Sequence, residues 1–101
     1  MFRQIVMVRW SDGVTPEAKQ AFRDGLEGLR AIPELLAMTW GDDANHFDGN
    51  FDFVVVQDFA DFASARGYVD HPLHQAWIRD HVRHVAAERA VVQHDWSDAR
   101  T

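Results

Sequence analysis

Gly67-Tyr68-Val69-Asp70-His71-Pro72-Leu73-His74-Gln75-Ala76-Trp77 gathers a tyrosine, two histidines and a tryptophan around one proline. The proline ring suits the first position of a helix and clashes inside one, so Pro72 ends one helical run and opens the next. Counted from Pro72, His74 falls in the first turn of the second run. Tyr68 sits near the end of the first, so phenol and imidazole are expected to converge on one hollow. Asp61 is placed to cap the first run, and residues 90–96 read as a strand after the second.

Upstream, residues 2–10 read as a strand that is apolar on both faces from Ile5 to Val8. Ser11-Asp12-Gly13 is turn chemistry. Thr15 is an N-cap, Pro16 takes the first helical position, and Glu17 lies where the macrodipole favours an anion. Ala18, Ala21, Phe22, Gly25, Leu29 and Ile32 recur at helical spacing, and Pro33 ends that helix by restricting the residue before it. Residues 35–40 make a second strand, 41–50 a polar loop, and 51–59 a third strand with the unbroken apolar centre Phe53-Val54-Val55-Val56. The order is βαββαβ, the split pattern of an α+β, ferredoxin-like sandwich: a four-stranded antiparallel sheet with helices on one face. Residues 1–96 read as one domain and 97–101 as a tail.

The chain has 101 residues, 16 acids against 10 bases, a net charge of −6 and no cysteine. A single small domain follows. Without a basic cluster, nucleic acid is not an expected partner. Without cysteine there is no disulfide framework and no thiolate site, which suits the cytoplasm. The opening residues are too short and too charged for a signal peptide, and no apolar run approaches the roughly 20 residues needed to cross a bilayer. Two helices can cover one sheet face only. Ile5, Met7, Val54 and Val56 alternate onto the other face, and an apolar face of that kind marks an interface. A homodimer, sheet against sheet, is expected.

The opening strand, the helix started by Thr15-Pro16, Ile32-Pro33, Trp40-Gly41, the strand end Gln57-Asp58-Phe59, and His71-Pro72-Leu73-His74 after Tyr68 occur in an order that resembles the stress-responsive A/B barrel domain (Dabb) family, over about residues 2–96. The resemblance implies a dimeric α+β barrel. One member type, the olivetolic acid cyclases of plants, closes a linear polyketide by intramolecular aldol condensation, and its histidine and tyrosine match His74 and Tyr68. Two positions depart from the pattern. Gln4 stands where the family often has a first-strand histidine, and Gly25 where the cyclase has a tyrosine.

His74 can serve as a general base, because imidazole titrates near neutrality; the alternative is an imidazole that ties helix to sheet. Tyr68 gains its role as carbonyl hydrogen-bond donor from the resemblance. His71 is read as a cap. Gln4 and Gln57 share the helix-facing side of the sheet with Val6, Phe53 and Val55, where amides without partners would be expensive. Phe22, Trp40 and Trp77 complete the candidate binding wall. Gly25 is open to two readings, close packing of the helix or room for a ligand. A mostly apolar hollow with a few polar groups suits a small hydrophobic or aromatic ligand. His71, His74 and His81 align loosely along a helix, but neither a metal nor a cofactor is expected. Two functions are carried forward: a cyclase or lyase acting on a carbonyl compound by His/Tyr chemistry, and a non-catalytic stress-response protein whose pocket binds a ligand or is packed.

Overall fold

The computed structural model describes residues 1–97; beyond Ser97, the expected tail lies outside the described residues. Strand β1 (Phe2–Trp10) is followed by helix α1 (Pro16–Gly28), a short 3₁₀ turn (Leu29–Ala31), and the strands β2 (Ala37–Asp42) and β3 (Phe53–Phe59). Helices α2 (Phe62–Asp70) and α3 (Pro72–Trp77) come next. A π-helical turn (Ile78–Val82) and a last helical turn, α4 (Arg83–Val85), lead into strand β4 (Ala86–Asp95). The sheet order is β2-β3-β1-β4, every pair antiparallel.

Local chemistry explains the boundaries. The Thr15 hydroxyl accepts from Ala18 N at 3.1 Å and starts α1 with Pro16 at its first position. Asp61 Oδ1 accepts from Ser64 N at 2.8 Å and starts α2. His71, extended because Pro72 follows, accepts from Leu73 N through Nδ1 at 3.1 Å and caps α3.

The strand boundaries differ from the sequence reading in several places: β3 begins at Phe53 rather than 51 and β4 ends at Asp95 rather than 96, and the larger differences are set by pairing rather than propensity. Strand β4 begins at Ala86, four residues before the expected start, because Trp10 pairs with Ala86 across a bulge at Ala87 of β4. Two alanines carry no alternation that would mark them as strand. Gly41 and Asp42 belong to β2, since they pair with Val54 and Phe53. Leu35 and Leu36 precede β2, with Leu36 N held by the Asp58 carbonyl at 2.9 Å.

The core lies between helices and sheet. Phe22 and Leu26 of α1, with Leu29 and Ile32 beyond it, bury completely or nearly so against Phe53, Val55 and Phe59. Full burial of each such side chain contributes roughly 1.5–3 kcal/mol. Phe22 meets Trp10 and Phe53 edge-on, with ring centroids 5.3 and 5.4 Å apart. Among the described residues no helix covers the opposite sheet face, where Ile5, Val54 and Val56 are half-buried and Met7 and Val92 are exposed. At one end of that face Arg3 grips Asp58 with two bonds of 2.8 and 3.0 Å. Among the described residues no helix is long and apolar enough to cross a membrane.

Candidate functional site

The break at Pro72 does what its position in the sequence suggests. Tyr68, in the last turn of α2, is fully buried, and its ring lies 5.1 Å from Phe59 and 4.8 Å from His74. His74, in the first turn of α3, is half-buried between Tyr68 and Trp77, whose ring centroid is 6.0 Å away. Trp77 is tied down in turn, its indole N–H donating to the Phe22 carbonyl at 3.1 Å.

Below these rings three amides form a chain across three strands. Gln93, Gln4 and Gln57 stand side by side on β4, β1 and β3. Gln93 Nε2 donates to Gln4 Oε1 at 2.6 Å, Gln4 Nε2 to Gln57 Oε1 at 3.2 Å, and Gln57 Nε2 to the Tyr68 hydroxyl oxygen at 2.6 Å. Gln57 Nε2 also reaches Met38 Sδ at 3.5 Å, a weak contact that suits this direction of the chain. The reverse orientation would set a carbonyl lone pair against the sulfur. The buried amides therefore satisfy one another, and hydrogen bonds linked in this way strengthen each other. Because the Tyr68 oxygen already accepts a bond from Gln57, its own proton is available to an acceptor in the space beside it.

That space is a cavity of about 270 Å³ between the helices and the sheet. Its walls are mainly apolar (Val6, Val8, Leu26, Val55, Ile78 and Val82), and its polar groups are the three glutamines, Tyr68, His74 and Arg89. The π-helical turn supplies Ile78 and Val82, and such turns recur at functional sites. A larger, shallower depression of about 420 Å³ on the open sheet face, lined by Met7, Phe51, Val54 and residues of the 43–50 loop, holds no histidine or tyrosine.

The electrostatics of the cavity favour neutral groups. Burial pushes the Tyr68 phenol up to about 12, against a smaller opposing effect of the Gln57 bond, so it stays protonated. Burial lowers the His74 pKa, a hydrogen bond to the Val69 backbone opposes this, and the nearby Arg89 charge lowers it further. A neutral imidazole that turns one N–H toward the Val69 carbonyl keeps a lone pair on its other ring nitrogen.

The sequence matches the stress responsive A/B barrel domain over residues 2–97. The chain belongs to the Dabb family. A Thermobifida fusca protein, described as a dimeric ferredoxin-like protein of unknown function, is 36% identical, with 94% of this chain and 90% of that chain covered and a TM-score of 0.86. A Dabb protein of Mesorhizobium loti is 21% identical over 95% of this chain and 96% of that one, with a TM-score of 0.79. The hydroxynitrile lyase of Passiflora edulis is 15% identical over 99% and 96% of the two chains, TM-score 0.85, a likeness of fold alone. No curated protein sequence matches this one.

Within this Dabb domain, the residues expected at the site divide into two groups. Tyr68, His74, Gln4, Val6, Phe22, Val55, Gln57 and Trp77 all line the cavity. Gly25, Trp40 and Phe53 do not. A Cβ on Gly25 would stand 2.5 Å from Trp77 Cδ1 and 3.0 Å from Nε1, so the missing side chain admits the indole of α3 rather than a ligand. Phe53 and Trp40 lie on the correct sheet face but stack on one another, centroids 5.6 Å apart, under α1. The Trp40 indole bonds to Glu27.

Gln93 and Arg89 escaped the sequence reading. Both follow the alternation of β4 on the helix-facing side, opposite Gln4 and Val8, but only the β1–β4 register shows it. Among the described residues no three histidine or carboxylate side chains converge as a metal site.

Proposed function

We propose that this Dabb protein is a dimeric α+β barrel that binds a small, mainly apolar carbonyl compound in the 270 Å³ cavity and acts on it as a cyclase or lyase, without a cofactor. The observation that carries the reading is the meeting, at one apolar cavity, of a neutral imidazole and a phenol whose oxygen is already engaged by Gln57. A pocket already filled by its own side chains, as a purely structural role would have it, fits less well with the open volume.

In the proposed reaction the free nitrogen of His74 takes a proton from the carbon next to the carbonyl. The electron pair of that C–H bond moves toward the carbonyl oxygen, and the Tyr68 O–H stabilises the developing enolate. A new carbon–carbon bond forms when this carbon attacks a second carbonyl of the same molecule. The alkoxide so formed takes up a proton, and His74 gives up the one it carried. Burial and Arg89 both disfavour the imidazolium, so the proton does not linger there.

The second copy is proposed to cover the open sheet face. Ile5, Met7, Val54, Val56 and Val92 form an apolar surface over which no helix lies among the described residues, and the 36%-identical Thermobifida protein is described as dimeric.

The test combines His74→Ala and Tyr68→Phe with thermal stability in the presence and absence of aryl ketones and polyketide-like carbonyl compounds. The proposal expects ligand-dependent stabilisation of the wild type, loss of turnover with an intact fold in His74→Ala, and a smaller loss of turnover in Tyr68→Phe. A destabilised His74→Ala beside a wild type that no carbonyl compound stabilises would end the catalytic reading.

A further inference from the structure

We propose that Arg89 makes the mouth of the cavity a carboxylate receptor, so that the ligand is an amphipathic acid: an apolar body in the cavity and a carboxylate at its rim. The inference rests on the ligand-site reading given above and adds the chemical class of the occupant.

The chain is acidic, and six of the eight arginines among the described residues are paired with carboxylates. Arg3 pairs with Asp58, Arg9 with Glu88, Arg23 with Asp42, Arg30 with Glu27, Arg66 with Asp70 and Arg79 with Asp80, at distances from 2.7 to 3.4 Å. Among the described residues only Arg83 and Arg89 have no carboxylate partner, and both lie at one place. Arg89 lines the cavity itself, and the two together border the groove leading out of it, between β4 and the α3 segment. Asp70, the carboxylate on this groove, is engaged by Arg66, and Glu88, beside Arg89 in sequence, alternates to the other sheet face and pairs with Arg9. A surplus of positive charge therefore stands at the cavity mouth of a protein whose net charge is −6.

Geometry narrows the class. Arg89, Val91 and Gln93 succeed one another along the helix-facing side of β4, so a ligand lying along this strand meets guanidinium, then an apolar contact, then the amide chain. Val91 is 48% exposed, which leaves that wall accessible from solvent. A guanidinium presents a planar fork of donors that matches a carboxylate with two parallel bonds. One such fork at the cavity mouth suits a monoanion, with Arg83 farther out adding to the attraction of the approaching acid. Arg89 faces the helices, so a partner on the open sheet face would not cover it.

The experiment measures binding of hydrocinnamate, hydrocinnamyl alcohol and hydrocinnamyl phosphate by calorimetry and tryptophan fluorescence, at low and high salt. Hydrocinnamate should bind about tenfold more tightly than the alcohol, as a charge-assisted bond at a partly exposed site provides, and salt should shrink the difference. Arg89→Gln should abolish the preference, and Arg30→Gln, in the 3₁₀ turn after α1 and outside the cavity lining, should keep it. Equal binding of acid and alcohol by the wild type, or an undiminished preference in Arg89→Gln, overturns the carboxylate receptor and leaves the cavity reading intact. Tighter binding of the phosphate than of the carboxylate also overturns it. Binding of none of the three removes this proposal together with the reading beneath it.

Discussion

Alanine at Gly25 and at Gly28 should change stability in opposite directions, although both glycines belong to α1. Replacing glycine by alanine inside a helix ordinarily stabilises by about 0.8–1 kcal/mol. At Gly28 a new Cβ meets nothing within 4 Å. The position is the last of the helix, so part of that gain should appear, roughly 0.5 kcal/mol. At Gly25 the Cβ would stand 2.5 Å from Trp77 Cδ1 and 3.2 Å from His81 Cδ2, and the indole must move. Overpacking of this kind costs about 1–3 kcal/mol, and the displaced indole loses its 3.1 Å bond to the Phe22 carbonyl, worth about another 1 kcal/mol. After the helical gain is subtracted, Gly25→Ala should be destabilised by roughly 1–3 kcal/mol. At about 4–8 °C per kcal/mol for a chain of this size, its Tm should fall by at least several degrees while that of Gly28→Ala rises slightly. Denaturation followed by far-ultraviolet circular dichroism, at one protein concentration throughout, reads both. Stabilisation of Gly25→Ala to the same degree as Gly28→Ala would refute the close approach of α3 to α1 and reopen Gly25 as a ligand position.

Tyr68 is the only tyrosine in the chain, so its ionisation can be followed alone by ultraviolet absorbance; it should not ionise before pH approaches about 12 or the protein unfolds. Its folded pKa is raised, so its contribution to stability is present below pH 10 and is lost as pH rises through about 12. His74 titrates with the opposite sign: its folded pKa lies below the usual value, so its stabilising contribution is present above about pH 6.5 and is lost as pH falls through the folded pKa. The stability advantage of wild type over His74→Gln should shrink between neutrality and mild acid, as measured by urea denaturation at several pH values. Tyr68→Phe leaves the buried Gln57 amide one partner short and should cost about 1–3 kcal/mol; a wild-type Tm in that variant would dismiss the amide chain as a structural unit. Val54→Asp places a charge at the centre of the open sheet face and should give monomer or aggregate in sedimentation, where the wild type is expected to sediment as a dimer.

The fold was legible because its punctuation is local. Thr15-Pro16, Asp61 and His71-Pro72 act on the hydrogen bonds of their own helix ends, and structure and sequence agree there to the residue. Alternation likewise placed Gln4 and Gln57 on the inner face, and the requirement that buried amides find partners pointed to a polar site. Three things depended on contacts between distant residues. The third member of the amide chain, Gln93, is defined by the pairing of β4 with β1. Gly25 marks either a vacancy or a close approach according to where Trp77 falls, and nothing near Gly25 in the chain encodes that. For Trp40 and Phe53, alternation identifies the face but not the depth, and both lie in the aromatic layer under α1, away from the cavity.

The central claim is that His74 and Tyr68 act together on a carbonyl compound held in the cavity. Its most direct test is the exchange of the methyl protons of acetophenone in deuterated buffer, followed by proton NMR. Proton abstraction beside a carbonyl requires neither the natural substrate nor a completed ring closure. The wild type should exchange these protons faster than buffer, with saturation in ketone concentration and a rate that falls as His74 becomes protonated below neutrality. His74→Ala should return the rate to that of buffer, and Tyr68→Phe should lie between the two. A wild-type rate equal to that of buffer, or a His74→Ala rate equal to that of wild type, would contradict the account.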